Sequence, residues 1–237
     1  MLFTKLDDIA LSIVRLLHAR QLILLMNIFR KIKYSIIFLV TIIMVTSTSS
    51  LADIQQLDSN LFVAGVQSNE FEYFTSPQII GRQRQSNWCW AASIQMVLNY
   101  HGLYVRQEEI VQRIYGQQTD QPANPNQILA ALSGWAPDTR GRYSTIHASP
   151  YVLSGNQIVQ DLAQKWPMIV GLQNPGAIGH AVVLTAIIYS VDRFNNPVFH
   201  GVVIRDPWPG SASRQELSWD EFQSRLNFIA RVYVQRL

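Results

Sequence analysis

The chain holds one cysteine, Cys89, set between two tryptophans in the stretch QRQSNWCWAAS at residues 83–93. A lone thiol is either an inert core residue or a reactive nucleophile, and its position separates the two. Trp90, Ile94, Val97 and Leu98 recur at i, i+4, i+7 and i+8, which predicts a helix opening near Asn87 as N-cap and running to about Tyr100. Cys89 then falls in the first turn, where unpaired N–H groups and the helix dipole favour a thiolate. A thiolate is a nucleophile; catalysis also needs a base and a group that orients the base.

Four histidines follow residue 52: His101, His147, His180 and His200. His101 lies on the same helix, about 18 Å along its axis, too far to serve. His147 sits in a polar strand or loop with no aspartate or asparagine beside it. His180 follows Gly179 and opens the run HAVVLTAIIYS, while His200 is central in VFHGVVIR. These two runs flank VDRFNNP and predict a β-hairpin. A turn centred near Arg193 pairs His180 with Asp206, and leaves His200 about 20 Å from that aspartate at the usual strand rise. A turn at Asn195 and Asn196 would instead shift the register by about five residues, and Asp192 and Asp220 stand as other carboxylates. Each residue alone also has an ordinary reading: His180 in the core, Asp206 as a turn former before Pro207, Gln83 as a surface amide. Taken in order, an amide, a cysteine at a helix start, a histidine at a strand start and an aspartate across a hairpin form a coherent chemical set.

The elements that must position this set are legible from periodicity. Strands are expected at 60–66, 70–75, 142–148, 167–173, 180–190, 198–205 and 228–236. Helices are expected at 106–115, 124–134, 155–165 and 218–226, the last with Ser218 and Glu221 as a capping box. Helices first and strands later imply an α+β domain of two lobes, an N-terminal helical lobe carrying the nucleophile helix and a C-terminal antiparallel β lobe. A cleft between such lobes is a natural site.

The first 52 residues differ from the rest. From Met26, the expected translation start, a basic stretch with Arg30, Lys31 and Lys33 precedes the apolar run SIIFLVTIIMV and a small-residue site with Ser50 and Ala52. That order marks a secretory signal peptide, and the apolar run is short for a spanning helix. Residues 1–52 are therefore read as leader, 53–80 as an N-terminal extension or a prosegment, and 81–237 as the functional domain. The expected location is secreted or periplasmic, with a membrane anchor as the alternative if the leader is not cleaved. The net charge of +3 comes from the leader, which carries Lys5, Arg15, Arg20, Arg30, Lys31 and Lys33 against Asp7 and Asp8. Beyond it the only lysine is Lys165 and no basic run appears, so no nucleic-acid partner is expected. Scattered histidines and a single cysteine show no metal-ligand spacing, and no cofactor motif occurs.

CWAAS, GHAVVLTAI and IRDPWPG, in this order, resemble the three blocks of papain-like cysteine peptidases. The likeness is to the bacterial family that includes plant-pathogen avirulence proteases, and it spans about residues 78–237. It implies a papain-like fold in which Cys89 is the nucleophile, His180 the general base and Asp206 the residue that orients the imidazole. It implies Gln83 as an oxyanion-hole donor beside the Cys89 backbone N–H, with Gln85 as the alternative if the loop threads differently. The separation of His180 and Asp206 is long for this family and implies an extended hairpin. A protein or peptide substrate, action as a monomer and no membrane partner after leader cleavage follow from the same resemblance. A related Cys–His cell-wall amidase, an acyl transferase, or a secreted binding module on the same fold are the competing readings; no DCSG-like block of the wall hydrolases is present.

Overall fold

In the computed structural model the described residues are 53–75, 81–134, 136–173 and 179–236. The leader reading, with its start at Met26 and its cleavage site, lies outside them. Chain order runs β1 (Ile54–Asp58), β2 (Leu61–Gly65), α1 (Ser68–Glu72), α2 (Cys89–Tyr100), α3 (Gln107–Tyr115), α4 (Pro125–Leu132), β3 (Ser144–Pro150) and α5 (Gly155–Ala163). It continues through β4 (Met168–Leu172), β5 (His180–Val191), β6 (Pro197–Arg205), β7 (Arg214–Ser218), α6 (Trp219–Arg225) and β8 (Leu226–Arg236).

The eight strands make one curled antiparallel sheet, and β5 is its axis. One edge of β5 pairs with β4 along its first half and with β2 along its second. The other edge pairs with β6, which passes the ladder on to β7. β5 is a nearly continuous run of buried residues from Ala181 to Ile187, because both its faces are covered. Ala181 and Val183 turn to the core shared with α2, α3 and α4, whereas Val182, Leu184 and Ile187 turn to a second core with Ile158, Leu162 and Phe222 of α5 and α6. This is the expected α+β, papain-like architecture, with the helix that Cys89 opens in the helical layer.

Several local expectations change. Residues 70–75 are not a strand but the end of α1 followed by a 3-10 turn over Tyr73–Thr75. Phe71 and Phe74, three apart, close on Tyr100 with ring centroids 5.2 and 5.6 Å away, a helical spacing that the aromatic, β-prone composition concealed. α2 begins at Cys89 with Trp88 at its cap. Asn87 does not cap it, because its backbone and side-chain N–H groups donate to Asp120 instead. The edge strands β1 and β7 were not foreseen, since IQQLD and RQELS are mostly polar and exposed. Only half of the capping box forms at α6: Ser218 accepts from the Glu221 N–H at 3.2 Å, while the Glu221 carboxylate pairs with Arg225.

The segment 53–75 is woven into this fold. β2 lies along β5, and Ala64, Val66 and Phe71 are buried. Glu72 meets the fully buried Arg205 guanidinium at 2.6 Å, and the Ser68 carbonyl accepts a second bond from it at 3.0 Å. Gly81 packs so close to Thr75 that a side chain there would place its Cβ 2.1 Å from the Thr75 Cα. The loop that leads to Cys89 is thereby seated on the N-terminal segment.

Candidate active site

Cys89 is the first residue of α2, a helix of 12 residues, so its sulfur sits where the backbone N–H groups are free of intrahelical partners. The flanking tryptophans hold this end in place. Both are buried, and their indole N–H groups donate to the carbonyls of Thr119 at 2.9 Å and Gln121 at 3.1 Å. With the two Asn87 bonds to Asp120, the short 119–121 segment receives donors from residues 87, 88 and 90. The backbone that carries the thiol is thus fixed on both sides by its neighbours.

The strand start of β5 meets the helix start at the sulfur. The Ala181 N–H donates to Cys89 Sγ at 3.4 Å, and the Ala181 carbonyl accepts from Ser93 Oγ at 3.2 Å, one turn further along α2. His180 Nε2 lies 2.7 Å from Asp206 Oδ1. With Nε2 committed to the carboxylate, Nδ1 is the ring nitrogen left for the thiol. Cys89 and His180 both line a cavity of about 220 Å³ whose apolar wall includes Trp90, Ile128, Leu172 and Phe228.

Asp206 reaches His180 by a register different from the one expected. The observed pairs are Val191 with Pro197 and Val183 with Arg205, which centre the turn on Phe194, and Asn195 takes a positive φ of 63° there. Irregularities at Leu184/Ala186 and Ile188/Tyr189 cancel each other along the ladder. Continued one step, this register sets Asp206 against Val182, so His180 is its diagonal neighbour on the same face, within reach of both side chains. Asp192 instead caps the hairpin turn through bonds from the Phe194 and Asn196 N–H groups, and Asp220 lies in the first turn of α6. His147 stacks on Tyr233, and His200 bonds Ser190 Oγ at 2.8 Å, so neither joins the site.

Burial alone would lower the His180 pKa, but the hydrogen bond to Asp206, the Cys89 sulfur and the negative charge of both outweigh it and raise the pKa to about 9. Burial would raise Asp206; the bond and charge of His180, the Trp208 N–H and the Gln215 amide outweigh it and hold the carboxyl below its usual range. The stability linked to His180 is therefore fully present below its unfolded value of about 6.5 and is lost as pH rises through about 9. That linked to Asp206 is present above about 3.9 and lost as pH falls through its depressed folded value. The Tm difference between wild type and His180→Gln is expected to narrow as pH is raised from 6.5 to 10. A difference that stays constant over that range would contradict the ion pair.

Gln83 is buried in the loop before α2. Its Nε2 donates to the carbonyls of Gln85 and Ser86, each at 2.9 Å, while its Oε1 has no partner among the described residues. The loop is bound to the Asp206 segment: the Gln83 N–H donates to the Pro207 carbonyl at 2.9 Å, and Arg82 Nη1 donates to the carbonyls of Asp206 and Trp208 at 2.8 and 3.0 Å. Gln107 braces it from behind, donating to the Arg82 carbonyl and to Gln95 Oε1, and accepting from the Arg84 N–H. Sequence reasoning missed Arg82, Gln107 and Gln215. Only Gln107 carried a signal, as a glutamine on the apolar stripe with Ile110 and Val111. Among the described residues no three His, Cys, Asp or Glu side chains cluster as metal ligands.

The family model described as papain-like cysteine protease AvrRpt2 matches residues 70–227. The chain belongs to that family. The match begins within α1 and ends at the second residue of β8, so it takes in Cys89, His180 and Asp206 and omits the β1–β2 hairpin. No curated protein sequence matches the chain. Among solved structures, the chain is similar to the peptidase domain of Streptococcus ComA, a bifunctional ABC transporter involved in quorum sensing, at 15% identity and TM-score 0.44, over 66% of this chain and 96% of that one. It is also similar to a double-glycine-motif protease from an AMS/PCAT transporter solved with its leader peptide, at 16% identity and TM-score 0.42, over 80% and 96% of the two chains. A C39-like peptidase structure from Bacillus anthracis gives 13% identity and TM-score 0.43, over 66% and 94%. At these levels the structural likenesses carry no argument, and the family assignment rests on the sequence match alone.

Proposed function

We propose that this member of a peptidase family is an exported cysteine peptidase that hydrolyses peptide bonds through a thioester on Cys89. The observation that carries this reading is the convergence at one sulfur of a helix start, the Ala181 N–H and the His180–Asp206 pair. The Cys89 thiolate attacks the scissile carbonyl carbon, whose π electrons move to oxygen. His180, as imidazolium, gives its proton to the leaving amine as the C–N bond breaks, which leaves a thioester. Neutral His180 then takes a proton from water as that water attacks the thioester, and expulsion of the sulfur restores thiolate and imidazolium. Asp206 fixes the ring through Nε2 and stabilises its charge.

The oxyanion is received by the Cys89 backbone N–H and by Gln83. The Gln83 amide must exchange one of its carbonyl bonds for the oxyanion, and the exchange favours the transition state because a charged acceptor binds about twice as strongly as a neutral one. Gln83→Ala is expected to lower kcat by about 10²-fold, the low end for such a donor, with KM little changed. A change confined to KM would place Gln83 in substrate binding instead.

The substrate is a protein or peptide, and the enzyme acts as a monomer after its leader is removed between Ala52 and Asp53. Asp53 is already part of the fold in support of that boundary: its N–H donates to the Ala163 carbonyl at 2.8 Å and its carboxylate pairs with Lys165. The segment from Asp53 onward stays in the active enzyme. The test is to express the full chain in an exporting host, sequence the N-terminus of the exported protein, and assay it on unfolded protein with and without thiol alkylation. Cleavage that survives alkylation would refute the cysteine mechanism, and protein retained with its leader would refute the export reading.

A further inference from the structure

We propose that Gln215 is a positioning residue for the reaction, holding the Asp206 carboxylate in the one orientation that serves His180. The inference rests on the peptidase reading above and adds a residue to it. The two oxygens of Asp206 are served unequally. Oδ1 takes His180 Nε2 at 2.7 Å and the Trp208 N–H at 2.8 Å, whereas Oδ2 takes Gln215 Nε2 at 2.9 Å. The Trp208 bond is local, two residues along the chain, and leaves the carboxylate free to turn about its last torsion. A donor on the second oxygen, from a different strand, removes that freedom. Gln215 is itself aimed by a second bond to the Ala212 carbonyl at 3.2 Å and by the ladder of β7 on β6, where it pairs with Ile204. The Asp206 N–H closes the same ladder by donating to the Ser213 carbonyl at 2.7 Å.

The charged groups around Asp206 do not replace this contact. Arg82 reaches its backbone carbonyl, not its carboxylate. Arg205 turns to Glu72, and Arg214 turns to Ser68 and Glu216. Among the described residues His180, from β5, is the one titratable partner of the carboxylate, and it in turn faces Cys89. The strand that carries Gln215 thus gives the hairpin after Asp206 a chemical reason: it brings one amide to one carboxylate oxygen.

The test is alkylation of Cys89 by iodoacetate across pH 4 to 10 in the protein from Asp53 onward, which needs no knowledge of the substrate. Alkylation needs the thiolate, since the thiol is not the nucleophile, and the negative charge of iodoacetate lets the adjacent imidazolium speed the reaction. Wild type is expected to give a bell whose alkaline limb lies near pH 9. Gln215→Leu is expected to move that limb down by about half a unit or more and to slow alkylation severalfold at pH 8, with an unchanged far-ultraviolet circular dichroism spectrum. Gln215→Glu supplies a second signature. Its carboxylic acid can donate to Asp206 as the amide does but its carboxylate cannot, so its rate relative to wild type is expected to recover as pH falls below about 5. A Gln215→Leu bell superimposable on that of wild type overturns the proposal and leaves the peptidase reading intact. A wild-type thiol that alkylates as a free cysteine, with a single rise near pH 8.5, overturns the reading beneath it as well.

Discussion

Cys89→Ala and His180→Ala are each expected to abolish peptide cleavage, by about 10⁴-fold or more in kcat, and the double variant to be little worse than either. The non-additivity follows from the geometry. In the proposed mechanism the imidazole acts only on groups that the sulfur has engaged, and the sulfur depends on the same imidazole for its reactivity. Loss of either member removes the function of both. What activity is left comes from substrate binding and the oxyanion donors, which neither change touches. The folds of both variants should persist, because Cys89 is only partly buried and His180 lies at the open end of β5. Kinetics of the two single variants and the double variant on one peptide, with melting curves alongside, measure this. Losses that multiply in the double variant would mean that the two residues work separately.

The second large effect concerns the N-terminal segment. A chain beginning at Gly81 is expected not to fold, rather than to be a matured and more active enzyme. Removing 53–75 strips β2 from the second half of β5 and exposes the core that Ala64, Val66 and Phe71 cover. A buried phenylalanine alone is worth about 3–5 kcal/mol when cut to alanine. The same deletion takes Glu72 and the Ser68 carbonyl away from the Arg205 guanidinium, which is fully buried in the intact fold. An unanswered buried charge adds a cost of several kcal/mol. Domains are stable by about 5–15 kcal/mol, so the sum of these losses is decisive. Expression of residues 53–237 and 81–237 in parallel, followed by circular dichroism and alkylation of Cys89, is the measurement. A soluble, cooperative and active 81–237 would show the segment to be a removable prosegment.

The place of a residue in the fold was legible wherever a side chain had to sit at the start of an element. Cys89 follows from helical periodicity after it, and His180 from the apolar run it opens. The expected hairpin pairs His180 with Asp206 about a turn centred one residue before the observed one. The error left the face unchanged, because a shift of two residues in register preserves the alternation of the strand. The residues that hold the site were not legible. Gln215 stands on a polar edge strand with no periodic signal, and Arg82 acts through backbone carbonyls that any sequence would provide. The 70–75 segment misled for a related reason: its aromatic residues favour strands by composition, and only their contacts with Tyr100 reveal the helical turn. Tertiary partners, not local preference, decided each of these cases.

Asp206 adds a gradation between the intact and the broken site. Without its carboxylate the imidazole keeps its place on β5 but loses its orientation and part of its charge, so some thiolate should survive. The central claim, that Cys89 is a nucleophile made by His180, is tested most directly by labelling the protein from Asp53 onward with a thiol-directed peptide electrophile at pH 6 and locating the adduct by mass spectrometry. The expected result is a single adduct on Cys89, formed rapidly in wild type, more slowly in Asp206→Ala, and at least about 10²-fold more slowly in His180→Ala, as the fall in thiolate at a pH well under 8.5 requires. Equal rates in wild type and His180→Ala would contradict the account, since the histidine would then do nothing for the sulfur.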